Sequence, residues 1–356
     1  MSPHFDPNAA APADSGIFGL PTTYEEAALV FLPIPWEATT SYGGGTSEGP
    51  KAILEASRQV DLFDFDVIRP YEPGLFCLQE SVQIRQWNEE AKALAAGIIE
   101  EGGRIAGDAR LTADLARVNQ LSAQVNDHVR AETRKILEEG KIPGLIGGDH
   151  SIPLGAFQAV GEKWSSFGIL HFDAHSDTRN AYEGFAYSHA SIMHCALESV
   201  PQIKKLVQVG IRDFCEEEMD YCASQGERVR VFHDAAMARD KFEGRTFAQI
   251  TQDIVSSLPR EVWVSFDIDG LDPRLCPNTG TPVPGGLDFH EANYILGAVV
   301  RSGRKIIGFD LNEVSPDPTG ASEWDANVGA RLLYKLSAWT LASQGRAKIR
   351  ASETPQ

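Results

Sequence analysis

"LHFDAHSDTRN", residues 170–180, joins two patterns that call for different surroundings. It begins inside an apolar run, FGILHFD (167–173), and then sets Asp173, His175 and Asp177 at alternate positions. The run does not alternate with polar residues as a half-exposed strand would. It reads as a strand covered on both faces, which is the habit of a parallel sheet. Alternate spacing past the strand end turns the three polar side chains to one side. Packing them together there is costly through repulsion and lost hydration unless a cation neutralises them.

The same kind of run recurs along the chain: AALVFLPIP (27–35), IPGLIGG (142–148), LVQVGIR (206–212), VRVFH (229–233), EVWVSFDID (261–269) and KIIGFDLNE (305–313). Between them, apolar residues three or four apart predict helices over 88–101, 121–139, 247–258, 289–301 and 328–343, with Gly140 placed to end the second. Strands alternating with helices from about residue 27 to 343 predict an α/β fold, a three-layer α-β-α arrangement around a mostly parallel central sheet. The expected organisation is a flexible N-terminal arm over 1–20, a single catalytic domain over 21–345 and a C-terminal tail over 346–356.

Composition narrows the function classes. The chain has 356 residues, a formal net charge of -18 and 42% hydrophobic residues, within reach of one large domain or two ordinary ones. An acidic balance without clustered Lys and Arg speaks against nucleic acid and anionic membranes as partners. No run approaches the roughly 20 apolar residues of a membrane span, and the first residues, MSPHFDPNAAAPADSG, lack the pattern of a secretion signal. A cytoplasmic protein is the expectation. Cys77, Cys195, Cys215, Cys222 and Cys276 are scattered and form no CxxC, so they read as reduced thiols rather than a disulfide framework or thiolate zinc site.

Four predicted strands end in polar clusters: GGDHS (147–151), DAHSD (173–177), DIDGLDP (267–273) and NEVSP (312–316). In parallel sheets the ligand site lies beyond the carboxyl ends of the strands, so all four converge on one rim. The four aspartates Asp173, Asp177, Asp267 and Asp269, with His150 and His175, suit two divalent ions such as Mn2+ or Ni2+, whose charge the carboxylates balance. Taken singly, each piece has a plainer reading. His150 could cap a helix starting near Pro153, Asp272 before Pro273 reads as a turn residue, and His171 inside its apolar strand reads as a hydrogen-bonded core histidine.

In order, GGDHS, HFDAHSD, YSHAS, SFDIDGLDP and GFDLNEVSP, with TGTPVPGG (279–286), resemble the ureohydrolase family of arginases, agmatinases and related guanidino hydrolases over roughly 27–339. The resemblance implies an arginase-like fold with His150, Asp173, Asp177 and Asp267 on one metal and His175, Asp173, Asp267 and Asp269 on the other. It makes His189, Glu313 and Asp177 the catalytic residues: Glu313 pairs with the guanidinium and His189 shuttles a proton to the departing amine. Trp36 and Arg179 join His189 and Glu313 as residues expected at the substrate. It also implies a homo-oligomer, a trimer or hexamer.

The expected substrate is a small cationic guanidino compound. The loop TRNAYEGFAYSHA (178–190) lacks the Ser-Gly-Asn feature that arginases use for the substrate carboxylate, and Arg212-Asp213-Phe214-Cys215 replaces their Arg-Asp-Val-Asp. Asp177, Arg179, Tyr182, Glu183 and Gly184 resemble agmatinase-type members, while LPIPWEATTSYGGGTSEGPKAILEASRQVDLFD (32–64) is similar to guanidine hydrolases. Trp36, Thr39, Thr40 and Tyr42 are candidates to narrow the cavity. Guanidine or a small alkylguanidine is therefore the first choice, with nickel favoured over manganese by resemblance. Agmatine and guanidinobutyrate follow. Readings of another kind are a non-catalytic subunit of a hetero-oligomer, a binuclear phosphoesterase, which would need a basic or amide-rich phosphate cradle, and a deacetylase.

Overall fold

The computed structural model describes residues 5–351. Its strands are β1 (Leu29–Ile34), β2 (Val67–Ile68), β3 (Leu75–Cys77), β4 (Ile142–Gly147), β5 (Phe167–Phe172), β6 (Ile203–Ile211), β7 (Val229–His233), β8 (Glu261–Asp267), β9 (Lys305–Asn312) and β10 (Lys348–Ile349). Its helices are α1 (Gly49–Ser57), α2 (Val82–Glu100), α3 (Ala109–Glu138), α4 (Leu154–Lys163), α5 (Ile192–Ser199), α6 (Glu216–Ser224), α7 (Asp234–Phe242), α8 (Phe247–Ser256), α9 (Phe289–Arg301) and α10 (Trp324–Ser343). Eight strands form one sheet in the order β3-β1-β4-β9-β8-β5-β6-β7, with every neighbouring pair parallel. The small β2–β10 pair is antiparallel and lies outside it.

Both faces of the sheet are covered, which explains why its strands carry continuous apolar runs. Leu170 and Phe172 of β5 look into a core shared with α1, α8, α9 and α10. Ile169 looks the other way, into a core with α2, α3, α4 and α5. The arrangement is the predicted three-layer α-β-α fold.

Helix boundaries differ from the sequence pattern where burial is sparse. The periodic signal of α3 starts at 121, whereas the helix begins at Ala109, because Val118 is its first buried residue. Its start is fixed by Asp108, whose side chain accepts the N–H groups of Arg110 and Leu111. At its far end Gly140 takes a φ of +73°, the left-handed turn that glycine allows. Helices α1, α4, α5, α6 and α7 are only 8–10 residues long, so at most three turns carry the 3.6-residue period, enough to stand out in α8 but not in these.

Two expectations about the ends need correction. Ile17, Phe18 and Leu20, placed in the flexible arm, are buried in the core, and the Phe18 ring lies 5.0 Å from that of Tyr334. Leaving these apolar groups in water would cost about 2 kcal/mol each, so they pack. Within the segment read as a tail, Lys348 and Ile349 pair with Ile68 and Val67. Residues 1–4 of the expected arm and 352–356 of the expected tail lie outside the described residues.

Candidate metal centre

The four strands whose ends carry polar clusters, β4, β9, β8 and β5, are consecutive in the sheet. His150 follows β4, Asp173 follows β5, Asp267 ends β8 and Glu313 follows β9. Adjacent parallel strands thus deliver these side chains to one edge. His175 and Asp177 come from the loop after β5, and Asp269 from a single 3-10 turn after β8.

His150 Nδ1 lies 3.0 Å from Asp173 Oδ2, 3.2 Å from Asp267 Oδ2 and 3.5 Å from Asp177 Oδ2. His175 Nδ1 lies 3.0 Å from Asp269 Oδ2 and 3.4 Å from Asp173 Oδ1. Asp173 is common to both groups. The donor atoms of His150, His171, Asp173 and Asp177 fall within 4.8 Å of one another, as do those of Asp173, His175 and Asp269. Their loops are held from below: Asp267 Oδ1 accepts the Asp269 N–H, and Asp269 Oδ1 accepts the Ala174 N–H. Arg212 adds a clamp that spacing did not reveal, donating to the carbonyls of Asp269, Leu271, Gly210 and Val283.

Electrostatics shows what this crowding demands. Burial pushes the Asp177 and Asp267 carboxyls well above the usual range, and neighbouring carboxylates, Asp173 beside Asp177 and Asp269 beside Asp267, push them further. Asp173 goes the other way: burial opposes its charge, but His171, His150 and His175 hold it well below the usual range. Burial also works against a charged His175, yet Asp269 and Asp173 raise it to about 12. Four buried carboxylates therefore compete for the few positive charges in reach. Carboxylate oxygen and imidazole nitrogen, without thiolate, are donors suited to Mn2+ or Ni2+, and two such ions would relieve the competition.

His150 caps no helix. Its N–H goes to Glu313 Oε1 at 2.9 Å, while its Nε2 contacts Ser265 Oγ at 2.9 Å. Ser265 in turn donates to Asp310 at 2.8 Å. Asp310 is a fully buried carboxylate that also takes hydrogen bonds from Trp263 and Asn312. Asp272 accepts the Arg274 N–H in a turn, as expected.

Above the carboxylates sits a cavity of about 180 Å³ whose wall includes His150, His175, Asp177, Asp267, His189, Glu313 and Arg179. Asp173 and Asp269 lie fully buried beneath it. Larger grooves of about 780 and 880 Å³ run beside the N-terminal segment, but neither holds a residue of the cluster, so size alone does not mark the site. Glu313 is 6% exposed, and burial followed by Asp267 and Asp149 pushes its carboxyl up. Its φ of +61° and the +55° of Asp177 are left-handed conformations that cost a side chain about 1–3 kcal/mol, a strain that collects at functional sites. His189 receives support from Thr39, whose hydroxyl accepts the His189 N–H at 3.2 Å. Arg179 lies 3.5 Å from Glu218 and stacks 4.9 Å above the Tyr182 ring.

Trp36 is not at this cavity. It is 1% exposed and packs in the core beside Ile34 and Ala38, because its N–H and carbonyl are tied to Ile34 and Asp149 and turn the ring inward. Tyr42 points outward at 73% exposed. Ser41, between Thr40 and Tyr42, lines the cavity together with Thr281, Asp213, Phe214 and Glu218.

A sheet edge bearing this acid-and-imidazole cluster belongs to the metal-dependent hydrolases that act on guanidino and amidino compounds. The chain is a member of the arginase family, whose family model matches residues 27–338. It is 32% identical over 315 residues to the N(1)-aminopropylagmatine ureohydrolase of Thermus thermophilus, spanning 88% of this chain and 90% of that one. Against the mitochondrial agmatinase of Gallus gallus it is 33% identical over 323 residues, spanning 88% and 82%. The solved agmatine ureohydrolase of Thermoplasma volcanium shares the fold with a TM-score of 0.69 at 23% identity, covering 93% of this chain and 96% of that chain.

Proposed function

We propose that the protein hydrolyses the guanidino carbon–nitrogen bond of guanidine or a small alkylguanidine, consuming one water and releasing urea with ammonia or an amine. The supporting observation is the cavity of about 180 Å³ with Glu313 and His189 in its wall. Drug-sized ligands occupy roughly 300–1,000 Å³, so this volume suits a substrate of few atoms.

His150, Asp173, Asp177 and Asp267 would hold one divalent ion, and His175, Asp173, Asp267 and Asp269 the other. Such a pair, nickel first and manganese second, supplies the Lewis acidity that makes hydroxide available near neutral pH. Glu313 binds the planar guanidinium. Its Oε1 is oriented by the His150 N–H, so the carboxylate meets the substrate's N–H groups in a fixed plane. His189 moves the proton: burial is the largest cause that lowers its pKa to about 4, so it is neutral at pH 7 and can accept a proton and pass it to the departing nitrogen. Resemblance extends the reading to a cytoplasmic homo-oligomer.

A second reading, agmatinase, is favoured by Asp213 and Glu218, carboxylates in the same wall that would attract the second cation of agmatine. The same two groups repel the carboxylates of arginine and guanidinobutyrate, and Arg179 is already engaged by Glu218. Urea release across guanidine, methylguanidine, agmatine, guanidinobutyrate and arginine, with nickel and with manganese, separates these cases. Preference for arginine would overturn the compact-cation pocket.

A further inference from the structure

A line of hydrogen bonds runs from Asp173 into the interior. His171 Nε2 lies 2.8 Å from Asp173 Oδ2, and His171 Nδ1 lies 3.0 Å from the side-chain nitrogen of Gln208. The same nitrogen donates to the Ser176 carbonyl at 2.7 Å. A carbonyl only accepts, so the Gln208 atom facing it is the NH2, and its second hydrogen points at His171 Nδ1. The Ser176 hydroxyl, 3.2 Å from Gln208 Oε1, agrees with that orientation. His171 Nδ1 therefore accepts, and the ring proton sits on Nε2. A protonated Nε2 has no lone pair to offer a cation, although it lies within 4.8 Å of the donor atoms of His150, Asp173 and Asp177.

We infer that His171 is a positioning residue of the metal centre and not a ligand: in the tautomer fixed by Gln208, it holds Asp173 Oδ2 so that one lone pair of that oxygen stays directed at an ion. This rests on the binuclear reading of the site. The other oxygen, Oδ1, accepts the His175 backbone N–H at 2.5 Å. The ring nitrogens of His150 and His175, 3.0 and 3.4 Å from Oδ2 and Oδ1, are the proposed ligands and would turn to the ions, so each oxygen of the shared carboxylate would keep one anchoring donor from the chain and capacity for one ion. A carboxylate held at both ends can bridge without rotating toward either side, and outer hydrogen bonds of this kind typically govern metal affinity by about 10- to 100-fold.

The test uses full-length protein stripped of metal. Affinity for Mn2+ and Ni2+ is read by chelator competition, and ligand geometry by the visible spectrum of the Co2+-loaded form. His171→Phe removes the donor and is expected to weaken affinity by about 10- to 100-fold and to shift the Co2+ bands. His171→Gln, which returns an N–H near the same place, should recover part of both. Gln208→Leu releases the tautomer and should fall between. Wild-type affinity and spectrum in His171→Phe overturn the assignment; if that variant does not fold, the same result in Gln208→Leu overturns it. A wild-type protein that binds no ion defeats the binuclear reading itself, whereas an ion-binding wild type with unchanged variants defeats only the role of His171.

Discussion

Glu313 Oε1 accepts the backbone N–H of His150 at 2.9 Å, while the Glu313 N–H donates to the Gly148 carbonyl at 2.8 Å. The proposed substrate carboxylate and the proposed metal-binding histidine are therefore stitched together through the ends of β4 and β9. Any shift of one moves the other.

Glu313→Gln preserves the shape and an oxygen for the His150 N–H, but presents an NH2 to a substrate that carries only donors on that side. Metal content should stay at the wild-type level while kcat/KM for guanidinium hydrolysis falls by at least about 100-fold, close to 3 kcal/mol of lost transition-state binding. Elemental analysis and a urea assay on one sample check both halves. Unaltered turnover would remove Glu313 from the substrate contact.

Asp267 lies 3.2 Å from His150 and accepts the backbone N–H of Asp269, two residues further on. Asp267→Ala should lower metal affinity by more than the roughly 100-fold typical of an outer-shell change, and take hydrolysis with it. In the metal-free protein the same change leaves the buried Asp269 N–H without its acceptor, so a loss of stability of about 1–3 kcal/mol should accompany it. A variant purified with two ions per chain contradicts the shared-ligand assignment.

The strand ends that carry the acid-and-imidazole cluster were legible because the signal is local: a charged residue directly after an apolar run is costly anywhere except at a strand terminus facing solvent or a ligand. Asp173 and Asp267 met that description, His150, His175, Asp177 and Asp269 followed within a few residues of the same strand ends, and the fold brings all six together. Asp310 did not, since it stands inside the apolar run GFDLN and is satisfied by Trp263, Ser265 and Asn312 from its own and the neighbouring strand. Glu218 was hidden differently: three residues after Cys215, it reads as the acidic residue of a capping box, which it also is. Trp36 misled because nearness to a strand end does not say which face a ring takes. Ser41 and Thr281 meet the cavity through long loops, and nothing in sequence spacing fixes where such loops close.

His189 gives a pH-dependent signature. Its folded-state pKa of about 4 lies below the roughly 6.5 of an unfolded histidine, so between those values the unfolded chain holds more protons. Its contribution is fully present above about 6.5 and is lost as pH falls toward 4. In metal-free protein, urea unfolding at pH 7 and pH 5 should show a smaller loss of stability for His189→Asn than for wild type. Equal losses would mean that water in the cavity hydrates the imidazole well enough to cancel the effect of burial.

Gly148 tests how closely the rim is packed. A Cβ built there would lie 2.0 Å from the Trp36 carbonyl oxygen and 2.9 Å from the Trp36 nitrogen, both backbone atoms that cannot swing aside as a side-chain tip would. The same Trp36 carbonyl accepts the Asp149 N–H at 2.8 Å, so the loop after β1 and the loop after β4 cannot part without breaking that bond. Gly148→Ala should therefore cost about 1–3 kcal/mol through overpacking. The strain has a functional direction as well, because His150 is two residues away and the Gly148 carbonyl is the acceptor for Glu313. Weaker metal binding and a higher KM should accompany the lower urea midpoint. A destabilised variant with wild-type metal affinity and KM would show that the strain is absorbed on the β1 side, leaving the rim that carries His150 and Glu313 undisturbed.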